Sequence, residues 1–194
     1  MAFNSYNVSL LDDQAIEDMR KAQPVCHELI MQCQQDRPRC VDAMEFCFGA
    51  LEGPYYQSGR NPLVSTCTSQ NRGESAINVG AGFAFDEMLS SAEDVKLLLD
   101  AGVRVLIYAG DADLMCNWVG NQAWVMALDW SGKTEFNNAP SRPFVTSEAT
   151  DSGRVRSFEN LAFIRVFNSG HMVPMDQPVV SFEMINKFFQ NKDF

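Results

Sequence analysis

The sequence predicts an α/β fold built around parallel strands. Two short apolar runs, Val103–Gly110 and Leu161–Phe167, have the length and the aliphatic and aromatic content of buried strands. A helix predicted over 117–128 lies between them, and another predicted over 177–189 follows the second strand. Because the predicted strands alternate with helices, we expect the strands to pair in parallel in a sheet covered by helices.

Length and composition agree with a globular domain and exclude several classes of function. The 194 residues are 46% hydrophobic and 21% charged. No run of about 18 or more apolar residues predicts a membrane span. The net charge of −10 repels phosphate backbones, so nucleic acid is not an expected partner. Only His27 and His171 are histidines, which excludes a metal site made of several histidines.

Four cysteines with a constant spacing mark the first element, a predicted helical hairpin. Cys26, Cys33, Cys40 and Cys47 follow one another at intervals of seven residues, or two helical turns. The first two therefore share a face of one helix, predicted over 11–35, and the last two share a face of a second helix. A reversal at 36–38 would set Cys33 against Cys40 and Cys26 against Cys47, as nested disulfides. Two alternatives stay open: buried thiols, and a zinc site, although zinc sites usually show closer cysteine pairs.

Disulfides require an oxidising compartment, and the N-terminal sequence bears on the same question. Asn7 begins an Asn-Val-Ser acceptor sequence, which predicts glycosylation at Asn7. The first 19 residues contain neither a basic segment nor an apolar segment of a signal peptide. Either the chain stays in the cytosol, or its true N-terminus lies upstream.

The remaining elements follow from turn and cap residues. Glycines and prolines predict a loop over 53–81, and the serines and acids at 90–94 predict the start of a helix that ends at Gly102. Residues 131–160 predict a small meander of strands. Asn168-Ser169-Gly170 predicts the turn that follows the second strand.

Two candidate catalytic residues lie just beyond the ends of the two strands. Asp113 follows the first strand and His171 follows the second. In open α/β sheets, functional residues lie beyond the carboxyl ends of the parallel strands. An aspartate that accepts a hydrogen bond from the Nδ1–H of a histidine leaves Nε2 free to act as a general base. On the residues alone, the alternative is an ordinary turn aspartate and an unrelated histidine.

Two segments resemble the last two motifs of the serine carboxypeptidases, peptidase family S10, to which carboxypeptidase Y and cathepsin A belong. They are YAGDADLMCNWVGNQAW, residues 108–124, and RVFNSGHMVPMDQP, residues 165–178. The four-cysteine hairpin and the residues after it are similar to the helical insertion of that family. The resemblance covers most of residues 10–190 and implies the C-terminal part of an α/β-hydrolase fold. It implies a helical insertion over 1–60 and a part of the hydrolase core over 61–194.

The resemblance also implies roles for individual residues. Asp113 and His171 match the acid and the base of the catalytic triad, and Cys116 and Met172 match positions that line the substrate pocket. It implies the pairs Cys26–Cys47 and Cys33–Cys40 as well, in agreement with the spacing. Cys67 matches half of a further disulfide whose partner segment is absent. The resemblance implies no metal or organic cofactor, and we expect none.

The nucleophile of the triad has no match in the sequence. An α/β-hydrolase carries its serine in a G-x-S-x-G motif upstream of the acid. The nearest segment, around Ser75, has Ile77 where the last glycine is required. We therefore expect the chain to supply the Asp and His part of a serine-type carboxypeptidase, with peptide or protein C-termini as substrate. The expected partner is a Ser-bearing N-terminal half, and the expected location is the lysosome or vacuole, or outside the cell. The alternative is an inactive pseudoenzyme or binding fragment.

Overall fold

The computed structural model describes residues 9–58, 83–147 and 149–194, which fall into two compact units. A helical unit contains the described residues up to Ser90, and an α/β unit begins at Ser91. The predictions for Asn7, Cys67 and Ser75 lie outside the described residues. None of the described helices is long and apolar enough to cross a membrane.

The helical unit is built on a hairpin of two helices, α1 (Asp13–Cys33) and α2 (Arg39–Cys47). The side chain of Asp12 caps α1 by accepting a hydrogen bond of 2.8 Å from the main-chain N–H of Ala15. The chain reverses between the two helices, around the predicted turn at 36–38. A π-helical turn (Phe48–Glu52) and a short helix α3 (Gly53–Gln57) continue from α2.

Helix α3 corrects the prediction that a loop begins at residue 53. Pro54 lies in its first turn, where a missing N–H removes no helical hydrogen bond and the fixed φ favours the helix. The glycine and proline that predicted a loop therefore begin a helix instead.

Two disulfides join the helices of the hairpin. Cys26 bonds to Cys47, with 5.2 Å between their Cα atoms, and Cys33 bonds to Cys40, with 4.5 Å. The inner pair is almost completely buried and packs with Ala43. Since the two bonds lie two helical turns apart on facing helices, they fix the register of the hairpin.

The α/β unit contains a four-stranded mixed sheet with the strand order β1-β4-β3-β2. Strand β1 (Val105–Gly110) pairs in parallel with β4 (Leu161–Val166), whereas β3 (Gly153–Phe158) runs antiparallel to both β4 and β2 (Arg142–Pro143). This arrangement confirms the predicted α/β class. The helices of the unit are α4 (Ala92–Asp100), α5 (Trp118–Ala127), α6 (Lys133–Asn138), α7 (Val173–Asp176) and α8 (Pro178–Phe189).

Two details differ from the sequence-based prediction. Helix α6 lies within the segment for which the sequence predicted a meander of strands. Its residue Phe136 is buried in the core, and this burial stabilises the helix. Strand β1 is parallel as predicted but only partly buried, since it is the last strand on its side of the sheet formed by the described residues, and 42% of Tyr108 is exposed.

The central strand β4 has apolar residues on both faces, each covered by a separate hydrophobic cluster. Leu161 and Phe163 belong to one cluster, and Ile164 and Val166 belong to the other. The alternation follows from the two-residue period of a strand. Burial on both sides fixes β4 and, through it, the loop that follows its carboxyl end.

Candidate active site

The parallel pairing of β1 with β4 brings the two loops that carry the predicted catalytic residues to one edge of the sheet. Gly110 and Val166, the last residues of these strands, lie opposite each other. Beyond them, the N–H of Asp111 donates to the carbonyl oxygen of Val166 at 2.9 Å, and the N–H of Ala112 donates to that of Ser169, also at 2.9 Å. The main-chain hydrogen bonds between β1 and β4 thus continue into the two loops and hold the loops side by side.

Asp113 and His171 form a hydrogen-bonded pair at this edge. Oδ2 of Asp113 lies 3.0 Å from Nδ1 of His171, although 58 residues separate them in the chain. The aspartate side chain is only 3% exposed, whereas that of the histidine is 41% exposed. The second oxygen of Asp113, Oδ1, accepts a hydrogen bond of 3.1 Å from the main-chain N–H of Cys116. Both carboxylate oxygens are therefore held, and the imidazole reaches solvent.

The hydrogen bond determines what the histidine can do. A carboxylate only accepts hydrogen bonds, so Nδ1 of His171 is the donor and carries the proton in the neutral ring. Nε2 is then the basic nitrogen and is available to accept a proton from another group. A buried acid that orients a solvent-accessible histidine in this way is an arrangement that can support general-base catalysis.

The turn before His171 is fixed by polar contacts of its own. Asn168 adopts φ of 54°, in the left-handed region that asparagine tolerates, which reverses the chain after β4. The hydroxyl of Ser169 is buried and donates to the carbonyl oxygen of Val166 at 3.1 Å. The carboxylate of Asp176 accepts a hydrogen bond of 2.7 Å from the N–H of Gly170. These contacts set the position from which the imidazole points towards Asp113.

The other acid of the first motif, Asp111, has a different environment. Its carboxylate forms an ion pair of 3.3 Å with Arg165 on β4, and both side chains are largely buried. The guanidinium of Arg165 also lies 4.0 Å from the ring centroid of Trp118, in a cation–π contact. Asp111 therefore joins the ends of β1 and β4, while Asp113 contacts the histidine.

The two predicted pocket residues lie next to the pair. Cys116 is exposed and follows Asp113 in the same loop, and Met172, which is 41% exposed, follows the histidine. Donor atoms of Asp113, Cys116 and His171 all lie within 4.8 Å of one another, so this set could bind a soft divalent cation. The expectation that the site uses no metal remains a prediction.

Two residues that shape the site were not identified from the sequence. Asp176 lies six residues beyond Gly170 and contacts it only because α7 folds back as a single turn. Arg165 lies 54 residues from Asp111 and meets it only through the pairing of β1 with β4. No local sequence pattern predicts either contact. An arginine in an otherwise apolar strand does indicate that its charge is paired in the folded chain.

Comparison with known proteins identifies the family. The model of the serine carboxypeptidase family matches residues 68–191, a segment that includes both Asp113 and His171. The chain belongs to the serine carboxypeptidase family. This confirms the resemblance carried by the two C-terminal motifs.

Several fungal members of the family resemble this chain along most of its length. The chain is 31% identical to carboxypeptidase Y of Schizosaccharomyces pombe over 229 aligned residues, which cover 100% of this chain and 23% of that protein. It is 36% identical to carboxypeptidase Y homolog A of Ajellomyces capsulatus, an alignment that covers 93% of this chain and 40% of the relative. The chain thus spans between about a quarter and two fifths of the length of these relatives.

A solved structure of a family member also matches part of the chain. It is Kex1(delta)p, a prohormone-processing carboxypeptidase from Saccharomyces cerevisiae, which is 32% identical in sequence. The match has a TM-score of 0.48 and covers 57% of this chain and 24% of the other.

Proposed function

We propose that this chain supplies the acid and the base of a serine-type carboxypeptidase, which removes residues from the C-termini of peptides or proteins. The observation that carries the proposal is the hydrogen bond between Asp113 and His171, in a chain of the serine carboxypeptidase family. No G-x-S-x-G motif occurs in the 194 residues, so the serine nucleophile is contributed by a segment outside them.

In this reaction His171 moves protons between the serine and the substrate. Nε2 accepts the proton of the serine hydroxyl as the oxygen attacks the carbonyl carbon of the last peptide bond. The imidazolium then donates that proton to the leaving amine, and water releases the acyl group in a second step of the same kind. Asp113 stabilises the imidazolium without taking its proton, because the Nδ1–H remains shared with Oδ2.

The exposed side chains beside the pair support a role in substrate binding. Cys116 follows Asp113 and has its sulfur within 4.8 Å of donor atoms of Asp113 and His171, Met172 directly follows His171, and both are exposed. Thiol and thioether groups are polarisable and adapt to different apolar groups. In the proposed enzyme these two residues contact the side chains on either side of the cleaved bond.

The free edge of the sheet supports assembly with a serine-bearing segment. Strand β1 is the last strand on its side among the described residues, and Val103 and Tyr108 beside this edge are 46% and 42% exposed. An unpaired apolar edge readily accepts another strand. The proposed partner adds a parallel strand to β1 and carries its serine to the same carboxyl edge as Asp113 and His171.

Complementation tests the proposal. The chain is produced together with the serine-bearing N-terminal segment of a fungal relative, and release of the last amino acid from an N-blocked dipeptide is measured. We expect activity that requires both parts. Because a triad histidine contributes by a large factor, His171→Ala should lower kcat/KM by at least about 10³-fold. His27→Ala is the matched control, since His27 is exposed on α1, and its activity should stay unchanged.

Two results would contradict the proposal. Activity that is the same without this chain would show that the partner does not need it. Activity that survives His171→Ala would show that another group is the base. Saturable binding of peptides with no turnover in the assembled pair would instead support a binding fragment.

We also place the proposed enzyme in an oxidising compartment, such as a vacuole, a lysosome or the cell exterior. The two disulfides of the helical hairpin support this assignment, since such bonds persist where glutathione does not reduce them.

A further inference from the structure

A cavity of the α/β unit, called the arginine cavity below, has a positively charged wall. It has a volume of about 240 Å³ and lies over one face of the sheet. Neither Asp113 nor His171 contributes to it. Its lining side chains are three arginines, two neutral polar residues and two aromatic residues, namely Arg154, Arg156, Arg165, Gln122, Ser141, Trp118 and Phe163.

The three arginines share one face because of the strand register. Arg154 on β3 lies directly opposite Arg165 on β4, and Arg156 follows two residues further along β3. Like charges at directly opposed positions of an antiparallel pair destabilise a sheet. Such a cluster is unexpected in a chain whose net charge is −10, and it is not a requirement of the fold.

Among the described residues, two carboxylates form ion pairs with these three arginines. Arg165 pairs with Asp111 at 3.3 Å, and Arg154 pairs with Asp151. Arg156 instead donates from Nη1 to main-chain carbonyl oxygens at the end of α6. Its Nε is buried and has no hydrogen-bond partner within the described part of the chain. Within the described ranges, three guanidinium groups therefore face two carboxylates, and the Nε–H of Arg156 is left over.

We propose that this cavity binds a small tetrahedral oxyanion of the phosphate class. Guanidinium groups bind such anions with paired hydrogen bonds, and Gln122 and Ser141 add neutral donors to the wall. Three guanidinium groups at the rim and floor suit four oxygens better than the two oxygens of a carboxylate. The volume falls below the 300–1,000 Å³ or so that is usual for drug-sized ligands, so the anion is small or is the end group of a larger molecule.

The environment of the arginines makes the site specific rather than a patch of surface charge. The side chain of Arg165 is only 16% exposed and is held against Trp118 and Asp111. Arg154 is 39% exposed at the open side, where its contact with Asp151 competes with an entering anion. Because the buried groups are held in place, binding requires little ordering of side chains.

The test is a titration of the whole chain with inorganic phosphate at constant ionic strength, followed by tryptophan fluorescence and by calorimetry. We expect saturable binding with one anion per chain, because the bound anion lies beside Trp118. Arg154→Gln should weaken binding by about tenfold, since it removes one charge-assisted contact. Asp151→Asn should strengthen binding severalfold, since it removes the competing carboxylate.

One control variant and one further test variant complete the experiment. Arg20→Gln removes the same charge from exposed α1 in the helical unit and should leave the affinity unchanged. Arg156→Gln should abolish binding, but it also removes the contacts with α6. The open-side variant Arg154→Gln therefore decides the question if Arg156→Gln does not fold.

Each outcome distinguishes the proposal from nonspecific attraction. Sulfate that binds like phosphate, with acetate much weaker, supports a tetrahedral oxyanion. Absence of saturation, equal affinities of Arg154→Gln and Arg20→Gln, or acetate that binds as well as phosphate would overturn it. The result does not depend on catalysis, because none of these variants changes the Asp113–His171 pair.

Discussion

Gly110, the last residue of β1, is packed against the backbone of Gly170, the residue before His171. A Cβ atom on Gly110 would lie 2.3 Å from the carbonyl oxygen of Gly170 and 2.4 Å from that of Ser169. Real Cβ atoms do not approach a backbone so closely, and both contacts are with main-chain atoms that cannot rotate away. The absence of a side chain at Gly110 therefore allows the loops that carry Asp113 and His171 to meet.

Gly110→Ala should separate the two loops and destabilise the α/β unit. We expect a loss of about 1–3 kcal/mol in the free energy of unfolding, the usual cost of an overpacked core position. The hydrogen bond between Asp113 and His171 should weaken as well, because both residues follow the displaced backbone. Denaturant unfolding and the imidazole NMR signals of His171 measure the two effects.

Gly120→Ala is the control for this prediction. Gly120 lies in the first turn of α5, and a Cβ there would meet only the side chain of Asn117, at 3.4 Å. Alanine favours a helix over glycine by about 1 kcal/mol, so this variant should be at least as stable as the natural chain. Equal stabilities for the two variants would refute the close approach at Gly110.

Asp113→Asn should change the tautomer of His171. The carboxylate accepts only, which holds the proton on Nδ1, whereas an asparagine side chain can also donate an N–H towards Nδ1. We expect the natural chain to have neutral His171 in the Nδ1–H form, and the variant to have a substantial population of the Nε2–H form. Nitrogen-15 NMR of the imidazole distinguishes the two forms.

The two histidines of the chain make this measurement simple. His27 lies on α1 and serves as an internal reference whose signals should not change. Asp111→Asn should leave the tautomer of His171 as it is, because Asp111 contacts Arg165 rather than the imidazole. An equal change in both variants would mean that the loop, and not the acid, determines the tautomer.

Features encoded by local spacing could be predicted from the sequence. The seven-residue interval of the cysteines is a whole number of helical turns, so it identified the helical hairpin. The apolar runs of β1 and β4 identified the strands, although only β4 is buried on both faces, which is the condition that removes polar alternation. Asp113 and His171 were singled out by their place after those strands and by the family resemblance.

Features that depend on long-range pairing could not be predicted. The three arginines of the arginine cavity meet only because Arg154 and Arg165 are opposed in the β3–β4 register, which no local pattern specifies. Asp176 reaches Gly170 only through the single turn of α7. Helix α6 was missed because a six-residue helix has too few turns to show a period, and its stability comes from burial of Phe136.

Removing the disulfides should destabilise the helical unit by amounts that depend on loop length. The bond between Cys26 and Cys47 closes a separation of 21 residues, and that between Cys33 and Cys40 closes 7. Loop-closure entropy gives about 3 kcal/mol for the outer bond and about 2 kcal/mol for the inner bond. The double variants Cys26→Ser/Cys47→Ser and Cys33→Ser/Cys40→Ser test these values by denaturant unfolding.

Burial provides the competing explanation for the disulfide variants. The inner sulfurs are almost inaccessible to solvent, so two serines there would bury hydroxyls in an apolar cluster. If Cys33→Ser/Cys40→Ser loses more stability than Cys26→Ser/Cys47→Ser, the burial of hydroxyls, and not loop-closure entropy, determines which disulfide contributes more. Cys116→Ser, at an exposed position of the other unit, should have little effect on stability.

We expect the helical unit to lose stability as the pH rises above 4.5, because of the environment of Glu52. Burial raises the pKa of Glu52 above its usual 4.5, and the negative charge of Glu87 raises it further. Above 4.5 the folded chain therefore holds this proton more tightly than the unfolded chain does. Since the unfolded state binds fewer protons in that range, the free energy of unfolding decreases as the pH increases.

Glu52→Gln should remove this pH dependence. We expect the variant to be more stable than the natural chain at pH 7, and the difference to disappear at a pH below 4.5, where Glu52 is protonated in both states. Glu87→Gln should give a smaller effect of the same sign, because burial is the larger cause. Melting temperatures measured across this range give both comparisons.

Glu183 provides a control of opposite sign. Hydrogen bonds from the hydroxyl and the main-chain N–H of Ser147 lower the pKa of Glu183, so its contribution to stability is present above 4.5 and is lost as the pH falls through its lowered pKa. Glu183→Gln should therefore reduce the stability of the α/β unit at pH 7, where Glu52→Gln increases that of the helical unit. Changes of the same sign in the two variants would indicate a general effect of the net charge of −10 rather than these local environments.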